Sequence, residues 1–210
     1  MHLDVTARSE LAGRILKRLE QAVRASRAHL RGSLARGTAD RYSDIDVAWL
    51  VPDAAWSSAI AGLPRTLAEV QPVESFRSDP DFQRSDKHRL IFVRFAHVPL
   101  FWRLDLEIFA QSIGEDPAYD RDNPNARGDD WSLAESALAN AVAAVKAHLR
   151  GDDAEARQLL LRAYRRIGQD APRLGERDLL LWLVGEATAL EPATAAFGSR
   201  IMELVQEEWM

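Results

Sequence analysis

Two short segments carry side chains suited to phosphate and to hard metal ions. The first reads Leu30-Arg31-Gly32-Ser33-Leu34-Ala35-Arg36-Gly37-Thr38 and the second Tyr42-Ser43-Asp44-Ile45-Asp46-Val47. Gly32 lets an anion approach the main chain closely. Ser33 adds a hydroxyl and an N–H at the start of an expected helical turn, where the helix dipole favours negative charge. Asp44 and Asp46 stand two apart in a strand-like run, so both carboxylates project from one face and can chelate a divalent cation. Side by side they repel each other, and a bound Mg²⁺ relieves that repulsion. A third carboxylate comes from Arg103-Leu104-Asp105-Leu106-Glu107-Ile108-Phe109, where alternation puts Arg103, Asp105 and Glu107 on one face.

The elements that must position these groups follow from periodicity. Leu11, Ile15, Leu16, Leu19 and Val23 recur with helical spacing between Arg8 and Ser26. Strands are expected at Ala28 to Gly32 and at Ile45 to Val51, separated by a turn from Ser33 to Thr38 and a loop from Asp40 to Ser43. A helix from Pro52 to about Glu69, tightened near Gly62 and Pro64, precedes a strand from Val70 to Phe76. Arg89 to Ala96 and Val98 to Phe109 suit a hairpin turned at His97, Val98 and Pro99. The polar run after Gln111, with Gly114, Pro117, Asn123, Pro124, Asn125 and Gly128, separates this half from four helical patterns between Trp131 and Trp209. Those helices bury Leu133, Leu138, Val142, Leu149, Leu159, Leu160, Tyr164, Leu180, Leu183 and Leu204 as a small bundle. The fold class is α+β: a small mixed sheet flanked by helices over 1–112, a connector over 113–130, and a helical bundle over 131–210.

Bulk properties narrow the chemistry. The chain has 210 residues, 47% of them hydrophobic and 28% charged, with a formal net charge of −5, which argues against disorder and against a strongly basic nucleic-acid binder. It contains no cysteine, so thiolate chemistry, disulfides and Cys-ligated zinc are excluded and any metal must be held by carboxylates or imidazoles. His2, His29, His88, His97 and His148 show no ligand spacing. No apolar run approaches the roughly 18 residues that span a bilayer, and the N-terminus lacks a basic-then-apolar leader pattern. A cytoplasmic location with no membrane partner is the expectation.

Gly32-Ser33, a spacer of about ten residues, Asp44-x-Asp46 and the later Asp105 together resemble the nucleotidyltransferase superfamily that includes DNA polymerase β and the aminoglycoside nucleotidyltransferases. The match covers roughly residues 28 to 109, and the helical half resembles in broad layout the bundle appended in small bacterial members. The resemblance implies transfer of a nucleoside monophosphate, AMP from ATP or another nucleoside triphosphate, to a hydroxyl of a small aminoglycoside-like acceptor. Two Mg²⁺ ions would be bridged by Asp44 and Asp46, with Asp105 as third ligand and proton acceptor and Glu107 as its rival. Gly32, Ser33, Arg36, Ser43 and Lys146 are the candidate nucleotide-binding residues. Lys146 shares a helix face with Glu135, a further candidate base. Arg127 and Trp131 are candidates for the border of a substrate cleft. The alternatives are an antitoxin-like adenylyltransferase acting on a protein or RNA partner, and a nucleotide-binding module without turnover. A nucleic-acid partner fits the charge balance less well than a small acceptor.

Overall fold

The computed structural model describes residues 3–209; His2 lies outside them. The chain divides into two compact units, one ending at Trp131 and the other beginning at Ser132.

In the first unit, α1 (Val5–Ala22) starts at Asp4, whose carboxylate accepts from the N–H of Thr6, and buries Leu11, Ile15 and Leu19. Next come β1 (Arg27–Leu30), the short α2 (Gly32–Arg36) and β2 (Ile45–Val51). Gly37 ends α2 in the left-handed conformation at φ 69°, and its N–H closes on the last carbonyls of the turn. After β2 a 3-10 turn at Asp53–Ala55 leads into α3 (Trp56–Ala68). The helix runs uninterrupted through Gly62 and Pro64. The remaining strands are β3 (Val73–Ser78), β4 (His88–Phe95) and β5 (Leu104–Ala110).

The sheet order is β1-β2-β5-β4-β3; β2 and β5 are parallel and every other neighbouring pair is antiparallel. Along β2, Ile45, Val47, Trp49 and Val51 are fully buried. The alternate positions hold Asp46 and Ala48, the parity expected from alternation. The β4–β5 turn is longer than a tight hairpin. It occupies residues 96–103, because Pro99 cannot donate to a ladder and the N–H of Trp102 folds back onto the Pro99 carbonyl. β3 starts later than expected, at Val73, and its register against β4 shifts between Val73 and Ser75.

Residues 113–130 hold only a 3-10 turn at Pro124–Ala126 and are stitched to the first unit. Gly128 N–H donates to the Pro80 carbonyl (2.8 Å), Arg84 N–H to that of Ala126 (2.7 Å), and the Gln83 amide to that of Asp130 (2.6 Å).

The second unit is all helical: α4 (Leu133–Leu149), α5 (Asp153–Arg166), α6 (Glu176–Leu190) and α7 (Ala195–Glu208), the last entered through a 3-10 turn at Pro192–Thr194. Ser132 caps α4 by accepting from the N–H of Glu135 (2.9 Å), and Asp152 caps α5 in the same way from Glu155. Leu138, Val142, Leu159, Leu160, Tyr164, Leu180, Leu183 and Leu204 are buried, as the spacing requires. Leu133 is half exposed, since it sits in the first turn of α4 ahead of the buried stripe. Among the described residues no helix is long and apolar enough to cross a membrane.

Candidate active site

The parallel pairing of β2 with β5 sets Asp46 directly opposite Asp105 and Ala48 opposite Glu107. Partners in register share a face, so Asp46 and Asp105 are level and Glu107 lies one pleat further along. Asp44 immediately precedes β2. The end of β1 meets this row where the Arg31 N–H donates to the Asp46 carbonyl (2.8 Å). Chain reversal then falls on Gly32 at φ 57°, a conformation that suits glycine. A Cβ at this position would lie 2.9 Å from Cγ of Asp46 and closer still to its Oδ2. The glycine therefore clears the space in front of the carboxylate. Arg31, Gly32, Asp46, Asp105, Glu107 and Phe92 line a cavity of about 310 Å³.

The loop carrying Asp44 is pinned from two directions. Arg8 on α1, buried, donates through Nη1 to the carbonyls of Asp40 (2.5 Å) and Ser43 (3.0 Å). Trp102 donates its indole N–H to the Arg41 carbonyl (3.0 Å). Burial lowers the pKa of Arg8, while the charges of Asp40 and Asp44 act to raise it. Ser43, expected at the nucleotide, is buried instead. Its hydroxyl donates to Asp40 Oδ1 (2.8 Å) and accepts from the Asp40 N–H (3.1 Å), so it locks the turn.

Asp105 and Glu107 are held differently. Arg103 grips Asp105 as a two-pronged fork, Nε to Oδ1 at 2.6 Å and Nη2 to Oδ2 at 2.7 Å. Burial works to lower the Arg103 pKa. The charge of Asp105, the hydrogen bonds to it, and the charges of Asp44 and Asp46 outweigh that and hold it above the ordinary arginine value. The Arg103 guanidinium also sits over the Phe92 ring, 4.9 Å from its centre.

Glu107 is clamped between Arg31 and His88, with His88 Nε2 3.0 Å from Oε1. His88 is fully buried, stacks on Phe109 at 4.7 Å and brings Nδ1 to 3.2 Å from the Tyr119 carbonyl. Burial pushes the Glu107 carboxyl up, but the His88 hydrogen bond and the Arg31 charge prevail and hold it below the usual carboxylate range. Ala48, fully buried between the strands of this pair, is small enough for Arg31 to reach Glu107 across β2. Sequence spacing gave no signal for Arg8, Arg31 or His88, because their partners lie 35, 76 and 19 residues away.

Of the other expected residues, Arg36 is exposed at the end of α2, and Ser33 lies in its first turn. Lys146 belongs to the second unit, where it is buried on α4. Arg127 is exposed and paired with Asp81 at 3.3 Å. Trp131 packs edge-on against Phe92 and carries the Arg77 guanidinium 4.7 Å above its ring.

The donor set suits a hard divalent cation: carboxylate oxygens from Asp44, Asp46 and Asp105, no sulfur, and a glycine that leaves the approach to Asp46 open. Among the described residues no three carboxylates or imidazoles already gather as a metal cage, and both Asp105 oxygens are engaged by Arg103.

No curated protein matches the chain. A solved structure titled "Structure and function of the polymerase core of TRAMP, a RNA surveillance complex" aligns with 88% of this chain at 12% identity and a TM-score of 0.39. This chain spans 58% of the length of that one. Residues 13–91 match the family model described as the nucleotidyltransferase domain, a segment that contains Gly32, Ser33, Asp44 and Asp46. Over that segment the chain is similar to the nucleotidyltransferase domain family.

Proposed function

We propose that the chain transfers AMP from ATP to a hydroxyl of a small-molecule acceptor and releases pyrophosphate. The observation that carries this reading is the level pair Asp46 and Asp105 beside the Cβ-free surface of Gly32. Asp44, Asp46 and Asp105 would hold Mg²⁺, two ions on the family pattern, which when bound neutralise phosphate charge and stabilise the attacking and leaving oxygens. Gly32 and the N–H and hydroxyl of Ser33 bind the triphosphate, and Arg36 at the far end of the same turn meets its outer phosphates. Lys146 is proposed as a further phosphate contact. The acceptor oxygen forms a bond to the α-phosphorus as the bond from that phosphorus to the bridging oxygen breaks in line, and Asp105 takes the hydroxyl proton. Glu107 is spent on Arg31 and His88, which supports Asp105 over Glu107 as that base.

The test is incubation with ATP labelled at either the α- or the γ-phosphate, Mg²⁺, and a panel of aminoglycosides, cell-extract proteins and RNA. Transfer of the α label to a small hydroxyl compound with release of pyrophosphate is expected. Transfer of the γ label, or no transfer from any triphosphate, would sink the reading. Label on a protein or RNA would move the acceptor to a macromolecule.

A further inference from the structure

Three carboxylates crowd one end of the β2–β5 pair, yet their charge is already answered inside the chain. We propose that Arg103 is the resident counter-ion of the metal site: its fork holds Asp105 where a divalent cation would bind, and the cation enters as the fork leaves. This rests on the assignment of Asp44, Asp46 and Asp105 as metal ligands.

Three observations carry it. The fork engages both oxygens of Asp105, through different nitrogens at 2.6 and 2.7 Å, and so takes up a lone pair on each. A side chain that only steadied a ligand would need one of them. Arg103 precedes Asp105 by two residues on the same strand face, and its charge also acts on Asp44 and Asp46, so it offsets part of the charge of the whole set. Asp46 and Asp105 are in register, so the strands already bring two of the assigned ligands level, and what occupies Asp105 there is the fork.

Arg103 also has somewhere to go. Phe92, the in-register partner of Asp105 on β4, already offers its ring face at 4.9 Å, and Asp44 lies near enough to be felt. Displacement therefore gives up the fork while contacts the side chain already makes remain. A guanidinium and a divalent cation at one carboxylate repel each other, and a triphosphate supplies the negative charge that lets both remain nearby. The consequence is coupling: cation and nucleotide bind more tightly together than separately.

Mn²⁺ binding to the full chain, measured by electron paramagnetic resonance without nucleotide and with a triphosphate whose α–β bridge is a methylene, decides the matter. Arg103→Gln is expected to bind Mn²⁺ about tenfold more tightly than wild type without nucleotide, the scale of removing one adjacent like charge. Arg103→Lys, which keeps the charge but cannot fork, should fall between, and Asp105→Asn should lose binding. The gain in Mn²⁺ affinity brought by nucleotide should shrink in Arg103→Gln. Equal or weaker Mn²⁺ binding by folded Arg103→Gln overturns the proposal and leaves Arg103 a positioning residue, with the metal assignment intact. Absence of Mn²⁺ binding in wild type and in both Arg103 variants overturns the metal assignment together with the proposal. Should Arg103→Gln fail to fold, tighter binding by Arg103→Lys supports the proposal and unchanged binding overturns it.

Discussion

Asp105 and Glu107 are chemically alike and one pleat apart, yet their neighbours give them opposite tasks. Asp105 is level with Asp46, whereas Glu107 is buttressed by a fully buried histidine and an arginine. Asp46→Asn and Asp105→Asn should each lower turnover by at least about a thousandfold, and Glu107→Gln by less than about thirtyfold, the gap between a metal ligand and a supporting charge. Steady-state rates at saturating Mg²⁺ and triphosphate check this; a dead Glu107→Gln beside an active Asp105→Asn would reverse the assignment. Stability separates the same residues. Alternation alone suggests that neutralising one carboxylate relieves repulsion, but Arg103 already pairs with Asp105. Asp105→Asn should therefore cost about 1–3 kcal/mol by leaving Arg103 without its fork partner, as thermal unfolding would register. Gly32→Ala combines a positive φ with a Cβ driven against Asp46, so triphosphate affinity should drop by about 5- to 150-fold, the equivalent of the 1–3 kcal/mol such strain costs. Calorimetric titration would measure it.

Elements differ in how much of them could be read from the chain. β2 was legible to the residue, because Ile45, Val47, Trp49 and Val51 share one parity with Asp46 on the other, and Pro52 ends the run. The turn after β4 was not, since Val98, Leu100, Phe101 and Trp102 look like strand residues and are buried as a loop instead. Gly32, Ser33 and the two aspartates mark the candidate site by local spacing. The residues that set its geometry meet only through the fold: Arg8 with the Ser43 carbonyl, Arg103 with the charge of Asp44, His88 with Glu107. Arg8→Met should loosen the loop that carries Asp44 and cost about 1–3 kcal/mol, the penalty for a buried and a part-buried carbonyl losing a charged donor, with a matching fall in the unfolding midpoint.

In the helical unit, Tyr164 donates its hydroxyl to the Leu179 carbonyl (3.1 Å) and pins α5 to α6. Burial, helped by the charge of Glu186, pushes its pKa up to about 12. The unfolded chain releases this proton near 10, so stability is intact below about pH 10 and declines between about 10 and 12. Tyr164→Phe should flatten that alkaline decline, as denaturant titrations across the window would show.

At the scale of the molecule, the unit that carries the segment similar to nucleotidyltransferase domains ends in residues 113–130, which are tied down onto Pro80, Gln83 and Arg84. Ligand binding to the native state alone stabilises by mass action, so Mg²⁺ with the preferred triphosphate at a hundred times its Kd should add about 2.7 kcal/mol. Comparing ATP, GTP, CTP and UTP by thermal shift ranks the bases, and no shift with any of them would count against the triphosphate site. The outermost strand, β3, carries a different consequence. Its register shift between Val73 and Ser75, with the charged Glu74 between them and Arg77 beyond, spoils the straight row of N–H and C=O groups that a foreign strand would need. The kink thus serves as a guard against fibril growth, and a variant that straightened and discharged this edge would be lost to aggregation before it was lost to unfolding.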